Sequence, residues 1–161
     1  GGPTLKQEAW KVRLEILEME RTGRVLALDV GEKRIGLAMS DPLWSTAQPL
    51  DTLNVRSHGQ VLGQLAQLVS DQDVSLVVAG LPVHRDGSES DQSEKVRTFA
   101  EKVALKTTRP VIFFDERSTT REAERVLLQA GLRRKKRRNN RDKLAAVLIL
   151  TYFLSSIPPS C

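Results

Sequence analysis

The sequence is short of several residue types and patterns that define protein classes. Its one cysteine, Cys161, is the last residue, which excludes an intramolecular disulfide and a multi-cysteine zinc site. No apolar stretch approaches the roughly 18 residues that are needed to span a bilayer. We also recognise no signal peptide at the start of the sequence. These absences favour a cytoplasmic protein, in a reducing compartment, that does not enter a membrane.

Aromatic rings are scarce as well, because they make up only 4 % of the residues. Few rings leave little surface on which bases can stack, so recognition of a nucleic acid would depend on its backbone and shape. The two histidines, His58 and His84, stand in separate polar stretches without the spacing of metal ligands. We expect both to face solvent.

What is present is the composition of a globular domain, with 161 residues of which 40 % are hydrophobic and 28 % charged. Hydrophobic periodicity predicts an α/β fold, whose sheet is part antiparallel and part parallel and carries helices on both faces. The predicted strands are 25–28, 35–39, 49–54, 76–80 and 111–114, and a turn at 31–34 joins the first two into a hairpin. The predicted helices are 4–20, 60–69, 91–105, 118–129 and 142–154.

Positive charge is concentrated in one stretch, which we call the basic segment (residues 133–141). The whole chain has 25 Lys and Arg against 20 Asp and Glu, and removing the seven cations of this segment from the net +5 leaves −2. Such an element favours a polyanionic partner, because each neutralised phosphate releases condensed counterions. A solvated loop is the alternative explanation of such a run. The seven cations are Arg133, Arg134, Lys135, Lys136, Arg137, Arg138 and Arg141.

Three carboxylates lie where ligands gather in α/β proteins. Asp29 directly follows the apolar run of the first strand, and Glu116, beside Asp115, follows the strand 111–114. Asp142 opens the last helix at a position in register with its apolar face. Because ligands bind beyond the carboxyl ends of strands in open α/β sheets, these acids predict one site.

Each acid also has a purely structural explanation. Asp29 could belong to a turn before Gly31, Glu116 could pair with Arg117, and Asp142 could be a helix N-cap. Together, however, three carboxylates in one place would repel each other without cations. Mg²⁺ and Mn²⁺ prefer such oxygen ligands, and a pair of these ions can promote phosphodiester hydrolysis.

Four ordered blocks of sequence then resemble one bacterial family. The string LDVGEKRIGLAMSD at 28–41 resembles the opening motif of the YqgF/RuvX family. The resemblance continues through GLP at 80–82 with Asp86-Gly87, through DERSTT at 115–120, and through the basic segment into DKLAA at 142–146. It covers about residues 24–154, with the blocks in the family's order.

This resemblance implies a fold and a site. The family is similar to Holliday-junction resolvases of the RuvC type, which implies a ribonuclease H-like fold with a mixed five-stranded sheet, over 24–157 here. A helical extension at 1–22 precedes that nuclease domain. Carried over by position, the family's metal-binding catalytic triad becomes Asp29, Glu116 and Asp142. The choice of Glu116 over Asp115 rests on the family motif alone. Family members often form dimers.

The resulting prediction is an endonuclease that uses Mg²⁺ or Mn²⁺. Its substrate would be branched DNA, in recombination and repair, or pre-16S rRNA, whose 5′ end family members are described as maturing. Asp29 and Asp142 would hold the ions and Glu116 would complete the shell, so that water attacks in line and leaves a 5′-phosphate and a 3′-hydroxyl. The phosphates of the substrate would be bound by Lys33, Arg34, Arg117 and the basic segment.

Two other functions stay open from the residues alone. A non-catalytic nucleic-acid-binding or ribosome-assembly factor would bind without divalent metal and would tolerate Asp29→Asn. An actin-like phosphotransferase also carries an Asp-x-Gly phosphate loop in its first hairpin. A two-lobed ATPase, however, needs roughly twice this length, which disfavours the second alternative.

Overall fold

The apolar runs of the sequence become the strands of one mixed sheet. The structure is a computed structural model that describes residues 23–82, 88–115 and 141–157, the first three of the last range by their backbone. The five strands are β1 (Arg24–Val30), β2 (Arg34–Ser40), β3 (Ala47–Asn54), β4 (Val74–Leu81) and β5 (Val111–Asp115). The helices are α1 (His58–Asp71), α2 (Asp91–Thr107) and α3 (Arg141–Ser156). The predicted helices at 4–20 and 118–129 lie outside the described residues.

The strand order gives the sheet two distinct edges. The order is β3-β2-β1-β4-β5, with β1 antiparallel to β2, β2 antiparallel to β3, and β1, β4 and β5 mutually parallel. The three parallel strands therefore all end on one side, which we call the carboxyl edge. The β1–β2 turn and the end of β3 lie on the same side. The opposite side, where the three strands begin, is the amino edge.

The alternation of side chains along β1 separates two cores. Val25 and Ala27 belong to the core beneath α3, whereas Leu26 and Leu28 belong to the core beneath α1 and α2. Helices therefore cover both faces of the sheet, as predicted. In α3 the residues that enter the first core are spaced three and four apart, as one helix face requires. They are Ala146, Val147, Ile149, Leu150 and Phe153.

Capping residues fix where two helices begin. Ser57 precedes α1, and its side chain accepts a hydrogen bond from the Gln60 amide at 3.2 Å. Ser90 precedes α2 and forms a reciprocal capping box with Ser93. These polar residues satisfy amides of the first turn, which hydrophobic spacing alone does not reveal.

The amino edge is closed by a loop built around Asp41. Its carboxylate accepts hydrogen bonds from the Ser45 amide at 2.7 Å, the Thr46 amide at 2.8 Å and the Ser45 hydroxyl at 2.7 Å. Burial by itself would raise the pKa of the Asp41 carboxyl. The hydrogen bonds from Ser45 and Thr46 outweigh burial and hold this pKa well below its usual range. Asp41 thus stabilises the loop that joins β2 to β3.

Trp44 fastens this loop to both the sheet and α3. Its side chain is buried, and its Nε1 donates a hydrogen bond to the Gly23 carbonyl oxygen at 2.9 Å. The ring centroid of Trp44 lies 6.5 Å from that of Phe153. The last turns of α3 therefore pack near the amino edge. Within the described part of the chain, no helix has the length and apolar character of a membrane span.

Candidate functional site

Asp29 lies in β1 near the carboxyl edge, on the sheet face that α3 covers. It continues the alternation of Val25 and Ala27, and its side chain is half-buried. Its register partner in β2 is Gly36. In β4, Gly80 follows Ala79, the partner of Leu28, so a glycine flanks Asp29 on this side too. Because neither glycine has a side chain, the strands beside Asp29 leave its face of the sheet open.

The first turn of α3 lies on the same face of the sheet. The helix begins at Arg141, so Arg141 is the first helical residue rather than the end of a loop, and Asp142 lies inside the first turn. By helical periodicity, Asp142 shares a row with Ala146, Ile149 and Phe153, which are all buried against the sheet. At 1.5 Å per residue, the first turn is roughly 16 Å along the helix from Phe153 and the amino edge. The side chain of Asp142 itself lies outside the described residues.

The faces of β5 separate Asp115 from Asp29. Ile112 and Phe114 pack into the core beneath α3, whereas Val111 and Phe113 pack on the α2 side. Asp115 follows the alternation of Val111 and Phe113 and therefore lies on the α2 side. Its register partner, Leu81, is buried on that side as well. Asp115 and Asp29 are therefore on opposite faces of the sheet. Glu116, the predicted ligand, lies outside the described residues.

Several other predicted site residues also fall outside that range. They are Arg117 and the basic segment from Arg133 to Arg138, together with the side chains of Arg141 and Asp142. Over 23–82, 88–115 and 144–157, no group of three or more His, Cys, Asp or Glu side chains is close enough to hold a metal. That search includes only one member of the predicted triad, Asp29.

The β1–β2 turn presents the predicted phosphate-binding residues to solvent. The Gly31 amide donates to the Arg34 carbonyl oxygen at 2.9 Å, and a Cβ on Gly31 would stand only 2.7 Å from that oxygen. Gly31 is therefore required by close approach of the backbone. Lys33 and Arg34 are both exposed at this turn, at the carboxyl edge next to Asp29.

One exposed cation at this edge was not singled out by the sequence. The Val55 amide donates to the Lys33 carbonyl oxygen at 2.8 Å, which holds the end of β3 against the turn. Arg56 is the next residue and is exposed. In the sequence Arg56 is a single arginine after a strand, without a motif around it. Only the pairing of β2 with β3 reveals that it is a neighbour of Lys33.

A cavity of about 720 Å³ lies behind the same turn, on the α1 and α2 side. Its floor is apolar, and its rim carries the carboxylates of Glu32, Asp91 and Glu94. Lys95 Nζ lies 3.4 Å from Glu32 Oε1 across the rim. His58, also on the rim, is exposed as expected.

Comparison with known proteins identifies the family. A model of the RuvX family, described as Holliday junction resolvase, matches residues 23–156. The chain belongs to this family. A Dictyoglomus turgidum protein with the name "Putative pre-16S rRNA nuclease" is 42% identical over 134 residues, which cover 83% of this chain and 95% of the relative. A protein of the same name from Lactococcus lactis subsp. cremoris is 44% identical over 135 residues, covering 83% and 94%.

Solved structures confirm the RuvX member's fold. RuvC of Thermus thermophilus, solved in complex with a Holliday junction substrate, has a TM-score of 0.58 at 16% identity and covers 86% of this chain and 99% of RuvC. The yeast mitochondrial resolvase Ydc2 has a TM-score of 0.51 at 15% identity, covering 89% and 83%. The fold is thus that of the RuvC-like resolvases. The family and its curated relatives make this RuvX member a nuclease, a hydrolase of phosphodiester bonds.

Proposed function

We propose that this RuvX member is a divalent-metal-dependent endonuclease whose site contains Asp29, Glu116 and Asp142. The observation that carries the proposal is the position of Asp29, on the α3 face at the carboxyl edge between two glycines. The first turn of α3, with Asp142, is on that same face. Phe114 lies on the α3 face of the sheet, and Asp115, the next residue, lies on the α2 face. If the alternation continues, Glu116 is on the α3 face with Asp29, which favours Glu116 over Asp115 as the ligand.

The donor set fits magnesium or manganese. All three residues offer carboxylate oxygens, which are the ligands these hard cations prefer. When bound, such ions lower the pKa of water and neutralise the charge that develops on the reacting phosphate. Asp29, on a central strand with buried neighbours, is held in a fixed position, which a ligand requires.

The cations of the chain would position the nucleic-acid strand. Lys33 and Arg34 are exposed beside the Asp29 end of β1, where they can bind the phosphates that flank the cleaved bond. The basic segment would add backbone contacts, so we expect affinity to fall steeply with salt. With 4 % aromatic residues, the chain has few rings for base stacking. The proposed substrate is therefore selected by shape and backbone geometry.

The names of the relatives favour one of two substrate classes. The proteins at 42% and 44% identity carry a name for pre-16S rRNA cleavage, whereas the resolvase structures at 16% and 15% identity show the fold alone. We propose the 5′-extended 16S rRNA precursor as the first substrate and a four-way DNA junction as the second. Both present phosphates in bent or branched geometry.

A direct test compares cleavage of the two substrates with Mg²⁺ and with Mn²⁺. Wild-type protein should cut at least one of them, and EDTA should abolish the cut. Asp142→Asn should lower single-turnover cleavage by about 100-fold or more, because a ligand carboxylate is lost. Cleavage that survives this substitution unchanged would remove Asp142 from the site. Binding of both substrates without cleavage of either would favour a non-catalytic binding factor.

The two neighbouring acids after β5 supply a matched pair of variants. Glu116→Gln should reduce cleavage as strongly as Asp142→Asn, whereas Asp115→Asn should stay within about threefold of wild type. Both variants remove one negative charge from adjacent residues, so a general charge effect would change both alike. A larger loss in Asp115→Asn than in Glu116→Gln would reverse the assignment.

A further inference from the structure

We propose that Arg56 continues the nucleic-acid interface away from the cleavage site, across the end of β2 and towards β3. With Lys33 and Arg34 it forms what we call the basic strip (Lys33, Arg34 and Arg56). The strip would hold the phosphates of a strand that leaves the site past the β1–β2 turn. This inference rests on the proposed nuclease function and adds a contact and a direction to it.

Backbone pairing places the three cations next to each other. Arg34 is the register partner of Asn54, and the Val55 amide donates to the Lys33 carbonyl oxygen at 2.8 Å. Paired residues on adjacent strands have Cα atoms about 5 Å apart. Arg56 is one residue beyond Val55, so its side chain shares the carboxyl edge with those of Lys33 and Arg34.

The cations of the basic strip have no protein partner within the described part of the chain. All three are exposed, and no hydrogen bond or ion pair with any described residue is formed by their side chains. Other cations of this part behave differently. Arg24 donates to Gln72, and Arg109 donates to the Val74 carbonyl oxygen at 2.9 Å. Because the strip has no internal ion pairs to break, its full charge is available to a phosphate.

The surroundings favour an anion on this side of the turn. Helix α1 starts at His58, two residues after Arg56, and has no acidic residue in its first turn. The partial positive charge of that helix end is therefore not neutralised locally. Helix α2, across the cavity, instead carries Asp91 and Glu94 in its first turn. The start of α1 therefore adds positive potential next to the basic strip, whereas the first turn of α2 carries negative charge.

The test measures how binding of the full-length protein depends on salt. Binding of the 16S precursor and of the DNA junction is titrated in EDTA, so that cleavage does not interfere. Arg56→Ala should reduce the magnitude of the negative slope of log affinity against log salt by about 0.7–0.9, because one phosphate contact is lost. Binding at 0.1 M salt should weaken roughly eightfold.

Lys106→Ala is the matched control for charge. Lys106 is exposed in the last turn of α2, at the amino edge, and its side chain also has no partner among the described residues. Lys106→Ala should leave both the salt slope and the affinity unchanged. Arg56→Lys should keep most of the wild-type slope that Arg56→Ala loses. Equal losses in Arg56→Ala and Lys106→Ala would overturn the strip, because net charge alone would then explain them.

The failure of the inference can be told apart from failure of the proposed function. If wild-type protein binds and cleaves a substrate but Arg56→Ala matches it in slope and affinity, the strip is wrong and the nuclease stands. If wild-type protein binds neither substrate, both proposals fail. Circular dichroism on each variant checks that the exposed substitution leaves the fold intact.

Discussion

The two edges of the sheet differ in how far their polar side chains are engaged in hydrogen bonds. At the amino edge, Asp41 accepts three hydrogen bonds within 2.8 Å, and Trp44, Arg24 and Arg109 each donate to a backbone carbonyl. At the carboxyl edge, Lys33, Arg34 and Arg56 make no such contacts with described residues. One edge uses its polar groups to stabilise the chain. The other leaves these three cations available for a ligand.

This difference separates stability from activity within one small domain. Substitutions at the amino edge should change the free energy of unfolding and leave the chemistry of cleavage intact. Substitutions in the basic strip should leave the free energy of unfolding nearly unchanged, because exposed side chains without partners among the described residues contribute little to folding. Variants of the same chemical type at the two edges test whether stability and cleavage are separated in this way.

The strongest contrast comes from the same substitution at each edge. Asp29→Asn should lower single-turnover cleavage by about 1,000-fold, equivalent to about 4 kcal/mol, because an ionised ligand carboxylate becomes a neutral amide. Asp41→Asn should leave cleavage by the folded protein within about threefold of wild type. Cleavage is measured on whichever substrate the wild type cuts. Activity of Asp29→Asn within tenfold of wild type would contradict the site.

The second contrast concerns packing at the amino edge. Trp44→Ala should lower the free energy of unfolding by about 3 kcal/mol, because it removes a buried ring and its hydrogen bond to Gly23. The neighbouring Leu43 is 80% exposed, so Leu43→Ala should change stability by less than about 0.5 kcal/mol. Urea unfolding measures both. Similar losses in the two variants would show that Trp44 does not anchor the loop.

The smallest effect is a dependence of stability on pH. The pKa of Asp41 is lowered by folding, so its carboxylate stabilises the fold fully above the unfolded pKa of about 3.9, and this contribution is lost as pH falls below that value. At pH 7, Asp41→Asn should cost about 1 kcal/mol, a value discounted for partial exposure. The difference between wild type and Asp41→Asn should narrow between pH 5 and pH 3. A constant difference over that range would argue against a role for the charge.

Most of the described elements could be predicted because their signal is local. The strand 76–80 was visible as an apolar run and is observed as Val74–Leu81, and the helix 91–105 is observed as Asp91–Thr107. The carboxyl end of this helix was less accurate, because Lys106 and Thr107 continue it past the last apolar residue of the pattern. The strand 49–54 starts earlier, at Ala47, where it pairs with Ser40. That start depends on pairing with another strand, which the apolar pattern within 49–54 does not show.

The candidate site could be predicted only in part. The position of Asp29 after an apolar run was sufficient to place it at the end of a strand. Position in the sequence also singled out Glu116 and Asp142, and the family motif supplied the choice of Glu116 over Asp115. The choice between Asp115 and Glu116 had no support in local sequence, because both lie at the end of the same strand. The packing of Phe113 and Phe114 into different cores supplies that support.

The order of residue types thus determined the α/β class, most element positions and the acids worth testing, because periodicity and motif spacing are properties of neighbours along the chain. Tertiary structure decided which face of the sheet Asp29 and Asp115 occupy and which distant cation lies beside the β1–β2 turn. Those outcomes depend on strand order and register, which bring Asp29 between Gly36 and Gly80 and Arg56 beside Lys33. Register is set by burying one face of each strand against a particular helix, and that choice exists only in the assembled core.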